Sequence, residues 1–424
     1  MSDVAKEWDR TTINGIAEMI VGGGTPSREA PQYWGGGIPW VTPGELTGLQ
    51  DKYLSETADT ITNAGLASSG ARLIPSNSLL VTTRATLGLV ALTKGPVTTN
   101  QGFKAIVFSG RAQPDFYYHL LATLNREIVR RASGTTFLEI SGNQFGQIEV
   151  PVPPLGEQCR IAAVLDTVDA QISVTQSIAE KLSVIRSGLL SDLMTRGIAP
   201  SGRLRPSPKQ SVALYADGVY GLRPKAWRVG LLDTFARRGS GHTPNRNVPS
   251  YWNGGIKWVS LADSSKLDRF SIEDTDKQIS QAGIANSSAV LHPAGTVILS
   301  RDAGVGKSAI LAEDMAVSQH FMAWQVGREL NNVYLYYWLQ SMKRSFEGIA
   351  LGSTIQTIGL PYFRKLRVTV PPLGEQEEIA HRLRLVDVDL DRTRDELAAL
   401  KSLKQGLAAD LLSGRVRVGT GGQS

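Results

Sequence analysis

The sequence predicts an α+β chain of two tandem strand-rich domains, each followed by a long α-helix, with the two helices pairing as an antiparallel coiled coil of pseudo-two-fold symmetry. Three observations predict it. The chain repeats itself at a spacing of 218 residues. The compact part of each copy alternates short apolar runs with turn residues. Each copy then ends in a stretch almost free of proline whose apolar residues recur about every 3.5 positions.

The repeat orders everything else. TPSREAPQYWGGGIPWV begins at Thr25 and TPNRNVPSYWNGGIKWV at Thr243, and eleven of the seventeen positions are identical. The offset persists. Gln101 and Phe103 match Gln319 and Phe321, Gly134, Thr136 and Ile140 match Gly352, Thr354 and Ile358, and Phe145 matches Phe363. VPPLGEQ at Val152–Gln158 recurs unchanged at Val370–Gln376. Only around Arg84 and Arg301 does the offset slip by one, and it recovers by Gly88 and Gly306. So long a period with one gap marks duplication of whole domains, not a solenoid or propeller.

The first domain spans 1–150 and the second 229–369. Both are rich in Gly, Thr, Val, Pro and Trp. Runs such as Ser78–Thr82, Ala105–Phe108 and Val297–Ser300 are short, apolar and bounded by turn residues, so they read as strands. Asp115–Ala132 and Asn332–Ile349 read as helices between them.

Long helices follow over 151–197 and 370–415. The paired prolines stop the preceding strand, and Glu157 or Glu375 falls in the first turn, where the helix dipole favours a carboxylate. The first apolar seam is Ile161, Leu165, Val168, Ile172, Leu182, Leu189 and Leu193; the second is Ile379, Leu383, Val386, Leu390, Leu397, Leu400, Leu407 and Leu411. A threonine interrupts both at the same place, Thr175 and Thr393. Each helix is about 60 Å long. The stripe is too long to bury on one small domain, so pairing of the two seams is favoured over two separately docked tails. The join, 198–228, is a basic Pro/Gly segment that reads as an exposed linker, and 416–424 reads as a flexible tail.

Composition sets limits. Of 424 residues 42% are hydrophobic and 20% charged, ordinary values for a globular protein. No run approaches the roughly 18 apolar residues of a membrane span, and the first ten residues lack the apolar core of a signal peptide. One cysteine, Cys159, allows no internal disulfide and no thiolate metal cluster, which fits a cytoplasmic protein. The net charge of +6 is unevenly spread: −1 over 1–150, +5 over 198–228 and +4 over 229–370. A polyanion partner is permitted but not required.

The order of motifs is more specific. Gly-Thr-Pro comes first, then Tyr-Trp-x-Gly-Gly-Ile-x-Trp-Val, then an Arg-x-x-x-(Leu/Val)-Gly turn. An Asn/Ser-Gln turn and a Ser/Gly-rich segment precede PPLGEQ and the long helix, and all of it occurs twice. From about Ile13 to Gly414 the chain resembles the specificity subunit of type I restriction–modification systems. The resemblance implies two target-recognition domains, each reading one part of a bipartite, asymmetric double-stranded DNA site, with the helices as the ruler between them. It also implies docking of two modification subunits, which carry S-adenosylmethionine and methylate adenine, and of ATP-dependent restriction subunits through them. This chain itself is then expected to hold no cofactor and no metal and to catalyse nothing.

The residues agree with that expectation. AGVGKS at Ala303–Ser308 resembles the end of a phosphate-binding loop, but Arg301 stands where the pattern needs glycine, so a hairpin turn is the better reading. No (Asn/Asp)-Pro-Pro-aromatic tetrapeptide is present, and the five histidines are scattered. An enzyme reading would need a cofactor or metal constellation that is not found. A scaffold reading, with the domains binding protein or glycan, is separated from DNA reading by salt dependence. Trp34, Trp40, Trp252 and Trp258 occur in both copies and read as core, and the shared Arg28 and Arg246 as scaffold or phosphate contacts. Residues that read different half-sites should be polar and differ between copies. Candidates are Arg72, Arg84, Thr86 and Lys104 in the first domain, and Lys257, Lys266, Arg301, Asp302 and Lys307 in the second.

Overall fold

The computed structural model describes residues 8–49, 51–134, 138–350 and 357–418. The chain forms two compact units, residues 1–177 with 395–424, and residues 178–394. The long helices run Leu155–Thr195 and Leu373–Leu411. The unit boundaries cut through both helices, because each unit's core takes the start of one helix and the end of the other.

In the first unit a five-stranded sheet has the order Ala17–Gly22, Phe103–Phe108, Leu79–Thr82, Val90–Thr93, Tyr53–Leu54. The central strand Leu79–Thr82 is buried throughout, as its unbroken apolar run requires. Trp34–Val41 centres a smaller sheet with Asp59–Ile61 and Thr98–Thr99. Asp9–Thr12 pairs antiparallel with Glu149–Val152, so the domain's first strand fixes the strand that leads into the long helix. Leu79, Val81, Ile106, Phe116, Tyr117 and Leu121 form the core, and Ile161 and Leu165 of the first helix join it together with Leu411 and Leu412. Each such burial stabilises by about 1.5–3 kcal/mol.

The second unit repeats the order: Ala236–Ser240, Phe321–Val326, Val297–Ser300, Ser308–Leu311, Ser271–Ile272. Arg228–Leu231 pairs with Arg367–Val370 as the counterpart of the leading pair. Ile379 and Leu383 of the second helix enter its core beside Leu193 of the first. Seam pairing and docking on the domain therefore both occur: the seam residues near the helix starts serve the domain core and the partner helix at once. Ile172, Leu182, Leu189, Val386, Leu397 and Leu400 are only partly buried.

Two sequence expectations change. Asp115–Ala132 is two helices, Pro114–Thr123 and Asn125–Arg131, and Asn332–Ile349 likewise breaks at Met342. Asn125 turns its side-chain amide onto the Leu87 carbonyl (3.0 Å), and Lys343, at the matching place, packs on Gly306. The break thus seats the second segment on a turn of the sheet. The linker is not simply exposed. Tyr215–Gly218 and Gly221–Pro224 form a hairpin, and Arg205, Tyr215 and Trp227 are buried.

The helices pair antiparallel within each unit, and the repeat sets their register. Asp169 takes Lys404 (2.6 Å) in the first unit, and Asp387 takes Arg186 in the second. Asp387 is the repeat counterpart of Asp169, and Lys404 that of Arg186. Each aspartate also faces its domain: His119 lies between Asp166 (2.9 Å) and Asp169 (3.9 Å), and the Tyr337 hydroxyl donates to Asp387 (2.7 Å). Burial works against the charge on Lys52, but hydrogen bonds to Asp115 (2.6 Å) and Asp166 (2.7 Å) lift its pKa above the ordinary lysine value.

The start of each helix is clasped. Glu375 accepts from Arg205 through both oxygens, from the Trp227 indole (3.0 Å) and from the Ile198 amide (2.8 Å). Glu157 accepts from Arg417 (2.7 and 2.8 Å) and from the Trp8 indole (3.1 Å). Arg417 and Val418, assigned from sequence to a tail, are thereby held; 419–424 lie outside the described residues. Gly197 and Gly414 end the helices at φ +63° and +76° and touch Trp227 and Trp8. A Cβ at Gly197 would lie 2.2–2.6 Å from Glu375, Trp227 and Arg205.

Gly197→Ala is expected to lower stability by about 2–3 kcal/mol through the left-handed backbone and overpacking. Gly188→Ala, in open helix surface, raises it by about 0.5–1 kcal/mol; denaturant titration of both variants checks the contrast. The Arg417 hydrogen bonds hold the Glu157 carboxyl below the usual carboxylate range. Its contribution is therefore present above the unfolded value and lost as pH falls through the folded one. Stability measured from about pH 5 to pH 3 should fall less steeply in Glu157→Gln than in the parent chain.

Candidate nucleic-acid interface

The ladder register puts four loops at one end of each five-stranded sheet. In the first unit Gly22 pairs with Lys104 and Thr82 with Phe103. The loop after Gly22, the Asn100–Gly102 turn and the turn after Thr82 therefore share an edge. The Ala85 amide donates to Leu138 (3.0 Å) and the Ile140 amide to Thr83 (3.0 Å), which adds the loop before Ser141. In the second unit Ser240 pairs with Met322 and Ser300 with Phe321, while the Ile358 amide donates to Arg301 (2.9 Å). The segments 135–137 and 351–356, which include the matched Thr136, Gly352 and Thr354, lie outside the described residues.

The shared residues build this rim. Thr25 donates to the Gln101 side-chain carbonyl (2.6 Å), and Thr243 to that of Gln319 (2.6 Å). The Trp40 indole donates to Gly24 (2.9 Å) and that of Trp258 to His242 (3.1 Å), which pins the Gly-Thr-Pro loops. Trp40 and Trp258 are buried, and each meets the second tryptophan of its pair, Trp34 or Trp252, edge to face. Arg28 pairs with Asp59 (2.7 Å) and lies over Trp34 (3.7 Å), so its charge is engaged in the scaffold. Arg246, its counterpart, is exposed.

Of the differing polar residues, those of the first domain converge. Arg84 and Thr86 stand in the turn after Thr82, with Arg84 3.7 Å from Glu139. Lys104 lies at the rim beside Gly22 and Gly142, with no ion pair among the described residues. Arg72 is exposed just after the Gly70–Ala71 stretch that packs on Gly24. The second domain divides its set. Arg301, Asp302 and Lys307 belong to the rim turn. Arg301 donates to the Ile358 carbonyl (3.0 Å), and Lys307 bends to that of Ser264 (3.0 Å). Lys257 reaches Glu313 (2.5 Å) and the Glu273 carbonyl, and Lys266 pairs with Asp263 (3.1 Å), so both are engaged locally. The Glu313 hydrogen bond raises the Lys257 pKa, so it stays a paired cation.

Asp302 is mostly covered and engaged by neighbours. Its carboxylate accepts from Thr357 and from His320 Nδ1 (2.6 Å). Composition alone does not single out His320 among the five scattered histidines. The signal that marks it is its place: it differs from Gly102 of the first copy and directly follows the shared glutamine. Among the other histidines, His292 is buried against the Ser240 carbonyl (3.2 Å), and burial lowers its pKa. The Arg301–Lys307 segment is a hairpin turn between antiparallel strands, with Ala303, Gly304 and Gly306 at positive φ. A strand follows Lys307 where a phosphate-binding loop would open a helix. Among the described residues no group of three or more His, Cys, Asp or Glu is placed to hold a metal ion.

The family model for the type I restriction modification DNA specificity domain matches twice, at residues 5–184 and 224–402. The chain belongs to this family. Each match spans one domain and most of its long helix, so the specificity domain is present in tandem. The chain is similar to the specificity subunit of the type I restriction enzyme MjaIX of Methanocaldococcus jannaschii, with 24% identity over 98% of this chain and 95% of the relative. A type I specificity subunit of Escherichia coli is 33% identical over 42% of this chain and 43% of its own length. The fold is also that of the type I system S subunit from M. genitalium, at TM-score 0.62 and 14% identity over 97% of this chain and 98% of that one. No helix among the described residues is long and apolar enough to cross a membrane.

Asn125→Ala leaves the Leu87 carbonyl without its amide and loosens the rim turn of this specificity domain. A loss of about 1–2 kcal/mol is expected, read by denaturant titration.

Proposed function

We propose that this chain is the non-catalytic, sequence-reading subunit of a type I system, which reads a bipartite, asymmetric double-stranded DNA site. Each domain takes one half, and partner subunits carry out adenine methylation and restriction. The observation that carries the reading is the pair of rims: the same loops, held by the same Thr–Gln and Trp contacts, present different polar side chains in the two domains. A scaffold kept constant under a varied edge is what two readers of different half-sites need. Lys104 supplies a phosphate contact, which sets register, and the other varied side chains specify bases.

The long helices keep apolar side chains in solvent: Val174, Ile178, Val184 and Ile185 on the first, and Leu385, Val388 and Leu403 on the second. We assign these to two modification subunits, which bring S-adenosylmethionine; ATP-dependent restriction subunits join through them. The complex works in the cytoplasm, where the DNA is.

The test is a genome-wide map of methylated adenines in cells with a compatible modification subunit, with and without this chain. A bipartite motif should appear only with the chain, and exchange of residues 1–150 should change one half of it. Absence of a new motif from an assembled complex overturns the reading. Lys104→Ala should weaken binding about equally on all sequences and reduce the salt slope by about one.

A further inference from the structure

The two rims share their framework and differ at three contiguous places. Where the first domain has Gly102, Ala85 and Glu139, the second has His320, Asp302 and Thr357. In the first domain the place is closed by the exposed Arg84–Glu139 pair. In the second, Asp302 sits under His320 and takes its Nδ1 proton, and Thr357 holds the other carboxylate oxygen. The imidazole is therefore oriented from beneath, and about a third of its side chain remains in solvent.

The neighbours also assign the other ring nitrogen. A carboxylate at Nδ1 only accepts, so the neutral ring has its proton on Nδ1 and its lone pair on Nε2. The Gln319 carbonyl oxygen is already engaged by Thr243, which leaves its amide nitrogen turned to His320 Nε2 at 3.4 Å. In the free chain these two nitrogens, about 3.4 Å apart, partner each other, and a base edge that offers both an acceptor and a donor can take the place of that contact on each side. The major-groove edge of adenine shows the complementary pattern, an acceptor at N7 next to a donor at N6. Guanine shows two acceptors there, and the single-ring bases lack the N7 partner. The first domain has the same glutamine, Gln101, but Gly102 beside it, so it offers the donor without the acceptor.

Resting on the proposed DNA-reading role, we infer that Gln319 and His320 together read one adenine in the half-site of the second domain, with Asp302 as the residue that positions His320. Gln319 Nε2 donates to N7 and His320 Nε2 accepts from N6. Asp302, a candidate reader by sequence, acts here through His320.

The experiment uses the full chain with its modification subunits and a DNA library randomised over both half-sites, and compares the parent with His320→Ala and His320→Gln. The parent should prefer adenine at one position of the half-site that is unaffected by exchange of residues 1–150. His320→Ala should lose about tenfold of that preference and leave every other position unchanged. His320→Gln, which restores an acceptor, should recover part of it. A uniform loss on all sequences with a smaller salt slope would show a phosphate contact and overturn the inference. So would loss of the whole second half-site in both variants, which marks a structural role, and so would an unchanged motif. If the parent itself selects no bipartite site, the DNA-reading role fails and this inference with it; a parent motif that His320→Ala leaves intact sinks the inference alone.

Discussion

An amphipathic helix of about 40 residues has more apolar stripe than a domain of about 150 residues has surface to bury it. That mismatch is resolved by pairing the two copies of the helix antiparallel, and the rest of the structure depends on it. Because the helices are duplicates, one ion pair serves twice: Asp169 with Lys404 and Asp387 with Arg186. Apart from the buried Leu390, the central seam residues are only partly buried, so the apolar seam alone allows slippage. Partly buried charge pairs at matched places penalise any other register, since a shifted helix would leave an uncompensated carboxylate.

The helix ends tie this register to the domains. Glu157 and Glu375 sit in the first turns and collect an arginine, an indole and the favourable end of the helix dipole. The partners come from different parts of the chain. In one unit they are residues next to the two ends of the described sequence, Trp8 and Arg417; in the other they come from the segment that joins the copies, Arg205 and Trp227. The same physical task recruited whichever arginine and tryptophan the local path supplied. This explains why the joining segment is packed although it has the composition of a linker: its polar and proline-rich stretches lie around a few buried anchors.

A rigid base lets the rim vary. The Trp-pinned loops and the Thr–Gln contacts occupy the shared residues with holding the frame, and the Gln319 carbonyl oxygen is among the groups so used. What differs between the domains is confined to side chains on that frame. Some of the cations that differ are spent on local carboxylates and carbonyls, as Lys257 and Lys266 show. A charge count over the sequence therefore overstates the charge available to a polyanion.

Duplication, the strand and helix types, the two apolar seams and the glutamates at the helix starts were legible in the linear chain. Each is a matter of local periodicity or of identity between copies, and both survive without coordinates. The first domain's candidates, Arg72, Arg84, Thr86 and Lys104, are chosen by difference between copies, and the fold sets them near one edge. The breaks at Leu124 and Met342 were not legible, because they answer to contacts with turns far away in sequence. Nor was the burial of Arg205, which depends on a glutamate of the other copy. Whether a cation is spent or available, and that Asp302 holds His320 instead of facing outward, depends on side chains brought together by the sheet register. Such pairings are long-range, and only the folded chain decides them.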